Sequence, residues 1–152
     1  MTNDELKIEL TTLFPTMQIE EGGEWLNGFI EPLELLSVIH ELKNNINLKF
    51  DYLFCLTCVD FKSHLTMVYH LSSTTFHHSV VIKSKLDIAN PQIETLSNLY
   101  RTAEFHEREV YEMFGVNFLN HPDLRLLILP DGWEGKNPMR KDFEDPINMI
   151  KL

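Results

Sequence analysis

The stretch DYLFCLTCVDFKSHLTMVYHLSSTTFHHSVVIKSKL, residues 51–86, decides the fold class of this 152-residue chain. It contains three strand-like runs, DYLFCLTCVDF, LTMVYHLSS and HHSVVIKSKL, rich in β-branched and aromatic residues. Short polar or Ser/Thr-rich links separate them, which predicts a meander of antiparallel strands. Cys55 and Cys58 lie in the first run with two residues between them. Such a spacing can mark a redox pair or half a zinc site. In a strand, however, residues three apart point to opposite faces, so the sulfurs diverge. The sequence has no second cysteine pair to complete a zinc site. Both thiols are therefore expected in the core. His77 and His78, as neighbours in a strand, would face opposite ways and not chelate together.

Upstream, Asn3 and Asp4 can cap a helix carrying Leu6, Leu10 and Leu13 on one face, and Pro15 ends it. MQIEE is a short strand candidate, Gly22-Gly23 a turn and WLNGFIEP a second extended piece. Pro32 suits the first turn of a helix whose Leu35, Leu36, Ile39 and Leu42 recur at helical spacing. Downstream, residues 88–116 are expected to be helical. Ile93, Leu96, Leu99 and Tyr100 form one stripe and Val110, Met113 and Phe114 another, with Gly115 placed to stop the helix. Residues 1–115 thus predict a compact α+β domain, its helices packed on a small mixed or antiparallel sheet.

Residues 116–152 are of another kind. HPDLRLLILPDGWEGKNPMRKDF, residues 121–143, mixes Leu124, Leu126, Leu127, Ile128, Leu129, Trp133, Met139 and Phe143 with Pro122, Pro130, Pro138, Gly132 and Gly135. It is too apolar for a disordered tail and too broken for a helix or strand. Each large side chain left in water forgoes about 1.5–3 kcal/mol. The expectation is an extended, irregular C-terminal arm that lies on a partner subunit and gains order on contact.

Charge sharpens the contrast. The net charge of −10 argues against nucleic-acid binding. Residues 1–45 hold nine acidic side chains against two basic ones, whereas residues 116–152 hold six against five. The front reads as a solvated acidic surface and the back as a place where charges meet partners. The hydrophobic fraction of 43% and charged fraction of 24% are those of a globular protein. No apolar run approaches the ~18 residues of a membrane span. The acidic start MTNDELKIEL lacks the features of a signal peptide, so a cytosolic chain is expected, with membrane contact only indirect.

The helix end HEREVYEMFG, residues 106–115, concentrates charge. Arg108 and Glu112 are four apart and could pair across one turn. His106 and Glu109 could serve a metal, but carboxylate-bridged sites need matching motifs on other helices, and none is present. In HPDLR, Asp123 after Pro122 signals a turn, and Arg125 can grip a carboxylate with two prongs. MRKDF sets Arg140, Lys141 and Asp142 between Met139 and Phe143, a pattern suited to an interface with a polar rim. No phosphate-binding glycine loop or nucleophile elbow occurs.

Residues 106–143, HEREVYEMFGVNFLNHPDLRLLILPDGWEGKNPMRKDF, resemble the signature of the C-subunit family of proton-pumping NADH:quinone oxidoreductase, respiratory complex I. The family pattern runs E-R-E, an acidic and aromatic helix end, F-G, H-P-D-L-R, a Leu-rich L-P, W-E-G and P-L-R-K-D-[YF]. Two departures stand out. Lys136 and Asn137 fill a gap where the family usually has one residue, and Met139 replaces a common Leu, a swap an apolar pocket tolerates. LTCVDF and MVYHLSS also fit family segments, more weakly. The resemblance implies a cofactor-free subunit of the complex's hydrophilic arm, peripheral on the cytoplasmic side of the inner membrane. FMN and iron–sulfur clusters would lie in partner subunits. The C-terminal arm would run along the D subunit, which helps receive quinone, near the iron–sulfur subunits. Glu107, Arg108, Glu109, His121, Asp123, Arg125, Arg140, Lys141 and Asp142 are the interface residues this implies. An equivalent subunit of a membrane-bound energy-converting nickel–iron hydrogenase is the nearest alternative. A stand-alone metal enzyme using His106, Glu109 and His121 is the alternative of a different class.

Overall fold

The computed structural model describes residues 1–149. Residues 150–152, the end of the expected arm, lie outside them. Helix α1, Asn3–Leu13, is capped one residue earlier than Asn3: the Thr2 hydroxyl accepts the Glu5 N–H, and the Glu5 carboxylate accepts the Thr2 N–H. This reciprocal box satisfies two otherwise orphaned donors. Leu6 and Leu10 are fully buried. Strands β1, Gln18–Glu20, and β2, Leu26–Phe29, form an antiparallel hairpin. A single 3-10 turn, Pro32–Glu34, leads into α2, Leu35–Asn44. Leu35, Val38, Ile39 and Leu42 are the buried face of α2, whereas the expected Leu36 faces outward.

Strands β3, Tyr52–Asp60, β4, His64–Ser72, and β5, Ser79–Asp87, form the expected antiparallel meander. The sheet has a feature the meander does not announce. β2 pairs parallel with β5, so the five strands run β1-β2-β5-β4-β3 in a mixed sheet. The register of β3 against β4 shifts between Leu53 and Cys55, a bulge that leaves Phe54 without a pairing partner. Cys58 is buried and Cys55 half-buried; both thiols are free. Burial first, then the charge of Asp60, pushes the Cys58 thiol up to about 12, which makes it inert.

The expected long helix is overturned in its first half. Gln92–Glu94 is strand β6, paired parallel with β7, Asn117–Leu119, and α3 runs only from Thr102 to Phe114. Ile93, Leu96 and Tyr100 are buried as expected, but from a strand and a turn. Val116 and Phe118 also belong to the core, so the compact body continues through β7, past the expected break after residue 115. His77 and His78 precede β5; His77 takes a left-handed φ of 56°, and the buried His78 puts its Nε2 2.8 Å from the Leu48 carbonyl. Helix α3 lies along β3, with the Thr102 hydroxyl donating to the Leu53 carbonyl at the bulge. Gly115 ends α3 in the left-handed conformation at φ 76°.

Candidate functional site

Helix α3 presents three charged side chains to the interior: Glu107, Arg108 and Glu112. Arg108 and Glu112 do not form the ion pair their spacing suggests. Both reach the main chain of the arm. Arg108 Nε donates to the Arg125 carbonyl at 3.1 Å and its guanidinium also donates to the Leu126 carbonyl at 2.7 Å. The Glu112 carboxylate accepts the N–H groups of Leu127, Ile128 and Leu129 at 2.8–3.1 Å. Five backbone groups, one on each of five consecutive residues outside any helix or strand, are thus bound by one cation and one anion set a helical turn apart. Charge-assisted bonds of this kind are about twice as strong as neutral ones.

The rest of the arm is tied down in the same way. The Met139 N–H donates to the Met113 carbonyl at 3.0 Å. Arg140 Nε donates to the Phe114 carbonyl at 2.6 Å. The Lys141 N–H donates to the buried Asp60 carboxylate at 2.9 Å, and the same carboxylate accepts the Lys62 N–H. These two backbone donors hold the Asp60 carboxyl below the usual carboxylate range. Asn137, one of the two residues that fill the family's one-residue gap, adopts φ 49° and rests its amide over Gly115, where a Cβ would meet it at 2.7 Å. Gly115 therefore serves both the helix stop and the seating of this loop. Lys136 lies over the Trp133 ring at 4.6 Å, and Trp133 faces Phe143 at 6.2 Å.

With its backbone held inward, the arm turns apolar side chains out. Ile128 is 63% exposed, Met139 58% and Leu127 40%. Met139 thus sits in no apolar pocket among the described residues. Among the arm's described leucines, Leu124 alone packs partly against the core. From residue 120 to 149 the backbone forms no helix or strand.

At the root of the arm lies a second arrangement. Glu107 is fully buried. Its carboxylate accepts the Leu96 N–H at 2.7 Å and the Thr95 hydroxyl at 2.5 Å, which fixes the turn after β6 to α3. The side chain of His121 is buried beside it, with Nε2 3.7 Å from the carboxylate. The Asp123 N–H donates to His121 Nδ1, and Nε2 faces the Glu104 carbonyl at 2.9 Å. These two bonds select the tautomer with hydrogen on Nε2, in which the ring carries no charge. His121 and Glu107 therefore do not constitute an ion pair. Desolvation, only partly offset by the two hydrogen bonds, pushes the Glu107 carboxyl up to about 7.

The expected interface residues are thus divided by the fold. Glu107 and Arg108 lie inside the chain, His121 anchors the root of the arm, and Arg140 anchors its end. Glu109, Arg125, Lys141 and Asp142 are exposed. The two-pronged contact of Arg125 goes to its neighbour Asp123, at 2.9 and 3.0 Å, in an exposed pair worth little energy. Glu112, Asp60, Thr95 and the Gly115–Asn137 contact escape a reading of single segments, because their partners are distant in sequence. His106, Glu109 and His121 do not converge, and no group of three or more metal-ligating side chains is found among the described residues. Among those residues, no helix is long and apolar enough to cross a membrane.

Residues 29–147 match the family described as the respiratory-chain NADH dehydrogenase, 30 Kd subunit. The chain is 36% identical over 137 residues to the C subunit of the NADH-quinone oxidoreductase of Moorella thermoacetica, covering 89% of this chain and 90% of that one. It is 37% identical to the C subunit of the F(420)H(2) dehydrogenase of Methanosarcina mazei, covering 89% and 87% of the two chains. The fold is shared with a chain of a membrane-bound sulfane sulfur reductase, an archaeal respiratory membrane complex, at a TM-score of 0.81 and 24% identity. That likeness covers 93% of this chain and 85% of the other. A trypsin-resistant fragment of Nqo5 aligns with a TM-score of 0.70 and 23% identity, over 81% of this chain and all of the fragment. The chain belongs to the family of the respiratory-chain NADH dehydrogenase 30 Kd subunit.

Proposed function

We propose that this chain is the C subunit of an NADH:quinone oxidoreductase, a structural member of the hydrophilic arm of complex I. In such an assembly electrons pass from NADH through FMN and iron–sulfur clusters in other subunits to quinone, and the reaction drives proton translocation. The observation that carries the reading is the match over residues 29–147 to a family of respiratory-chain subunits. The outward apolar face of the arm supports a role in assembly: the backbone N–H groups of Leu127, Ile128 and Met139 are already paired within the chain. Such a segment contributes side chains to a partner without first having to order its own main chain. The D subunit and the neighbouring iron–sulfur subunits are the partners proposed, and the cytoplasmic face of the inner membrane the location. Glu109, Arg125, Lys141 and Asp142 supply the polar rim. Glu107, Arg108, His121 and Arg140 act indirectly by holding the arm in shape.

The test is co-purification of a tagged full-length chain from its native membranes. Recovery of quinone-site and NADH-oxidising subunits supports the reading. Recovery of nickel–iron hydrogenase subunits in their place would establish the energy-converting hydrogenase reading. Purification as a monomer with stoichiometric zinc or iron would refute both. Ile128→Asp should reduce recovery of partners at least tenfold while leaving the fold of the isolated chain intact. Truncation after Gly115 is a poorer test. It removes Val116 and Phe118 from the core and strips Arg108, Glu112 and Asp60 of their partners.

A further inference from the structure

The Glu107 carboxylate has a connection that its role as a staple does not require. The Thr95 hydroxyl, 2.5 Å from Glu107 Oε2, is also 2.9 Å from the hydroxyl of Ser97, a half-buried residue. A hydroxyl has one hydrogen, so Thr95 cannot donate in both directions at once. Two complete arrangements exist. With Glu107 ionised, Thr95 donates to the carboxylate and accepts from the Ser97 hydroxyl. With Glu107 protonated, the carboxyl donates to Thr95 and Thr95 donates to Ser97. The Ser97 N–H donates to Thr95 Oγ1 at 3.1 Å in either arrangement and keeps that oxygen in place.

We propose that Glu107 is a proton-binding site inside the body of the chain, connected to the surface through the Thr95 and Ser97 hydroxyls. The proton balance is closed. A proton arriving at Ser97 Oγ releases the Ser97 hydrogen to Thr95 and the Thr95 hydrogen to Glu107 Oε2, with no heavy atom displaced. The surroundings favour exchange over permanent charge. His121, from the arm, is in its uncharged tautomer. Arg108, on α3, is committed to the Arg125 and Leu126 carbonyls. Glu94, from β6, opposes ionisation by like charge. Tyr69, from β4, is fully buried, and its hydroxyl has no hydrogen-bond partner among the described residues. The charge of an ionised Glu107 in turn opposes ionisation of Tyr69. The site stands apart from the assembly reading.

The test is a carboxyl-carbon NMR titration of the full-length chain with labelled glutamate, between about pH 5 and 9. One glutamate should titrate near neutrality, and its signal should vanish in Glu107→Gln. Thr95→Val preserves shape but removes the donor to the ionised form, and it should move the midpoint up by about one unit. Ser97→Ala should leave the midpoint nearly unchanged and slow reprotonation at least tenfold after a pH jump, followed by the infrared carboxylic-acid band. A purely structural staple predicts no such separation of midpoint and rate. If all glutamates titrate in the ordinary carboxylate range, the site is refuted; an unchanged rate in Ser97→Ala refutes the path. Should Glu107→Gln fail to fold, the wild-type titration and the Thr95→Val shift still decide.

Discussion

The sheet and the arm are held together by opposite means. In the sheet, backbone groups pair with one another in ladders, and apolar side chains such as Leu65, Met67, Leu71 and Ile82 are buried. In the arm, backbone groups pair with charged side chains of the body, and the apolar side chains Leu127, Ile128 and Met139 face out. A folded core hides its grease and exposes its charge. The α3–arm contact hides Arg108 and Glu112 and exposes grease. The inversion leaves large apolar side chains exposed on a backbone that is already held in place, the kind of surface the proposed assembly role would use.

Four changes test this contrast. The largest effect is expected at Leu65→Ala, a fully buried position near the start of β4. It should cost about 2–5 kcal/mol by denaturant unfolding. A similar loss for Met139→Ala would erase the distinction between the two regions.

The second concerns pH. Glu107 has its folded pKa raised from 4.5 to about 7, so between those values the folded state binds more protons than the unfolded one. Stability should therefore decline as pH rises from about 4.5 to 7, by about 3 kcal/mol, and then level off. Glu107→Gln should flatten that decline. Asp60 has the opposite sign: its carboxyl is held low, so its contribution is present above its ordinary range and lost as pH falls through its folded value. A decline that survives in Glu107→Gln would assign the effect elsewhere.

Third, Glu112→Gln keeps one acceptor oxygen but turns an NH2 group toward amide donors. A loss of about 1–3 kcal/mol is expected, read as faster hydrogen exchange at Leu127–Leu129 with the β3–β5 amides unchanged. Equal acceleration in the sheet would show that the arm and the body unfold as one. The smallest effect is expected at Ile128→Ala, within about 0.5 kcal/mol in the free chain, since that side chain is mostly in water.

Much of the body was legible because local pattern and tertiary role coincide there. The three runs in residues 51–86 are β3, β4 and β5 in the order expected, and Gly115 stops α3 where its freedom at positive φ is needed. The expected helix over residues 88–101 failed because periodicity reports which residues are apolar, not how the backbone is paired. Ile93 and Leu96 are buried, but β6 finds β7 about 25 residues away and so becomes a strand. The parallel β2–β5 pairing is equally non-local. For the site, the sequence singled out the charged end of α3, but not the destinations of its charges. Arg108 and Glu112, read as each other's partners, reach peptide groups 15–18 residues downstream.

By itself the sequence determined the meander, the α+β composition and, through a long ordered motif, the family. These rest on local chemistry: side-chain alternation, proline and glycine breaks, and residue types in fixed order. Only the tertiary structure decided that the arm's backbone is already anchored, that its leucines face outward unevenly, and that Glu107 is sealed from water beside an uncharged histidine. Those properties depend on which groups meet across the chain. A charge's worth is set by the dielectric and the hydrogen-bond partners around it, and neither is written in any one segment.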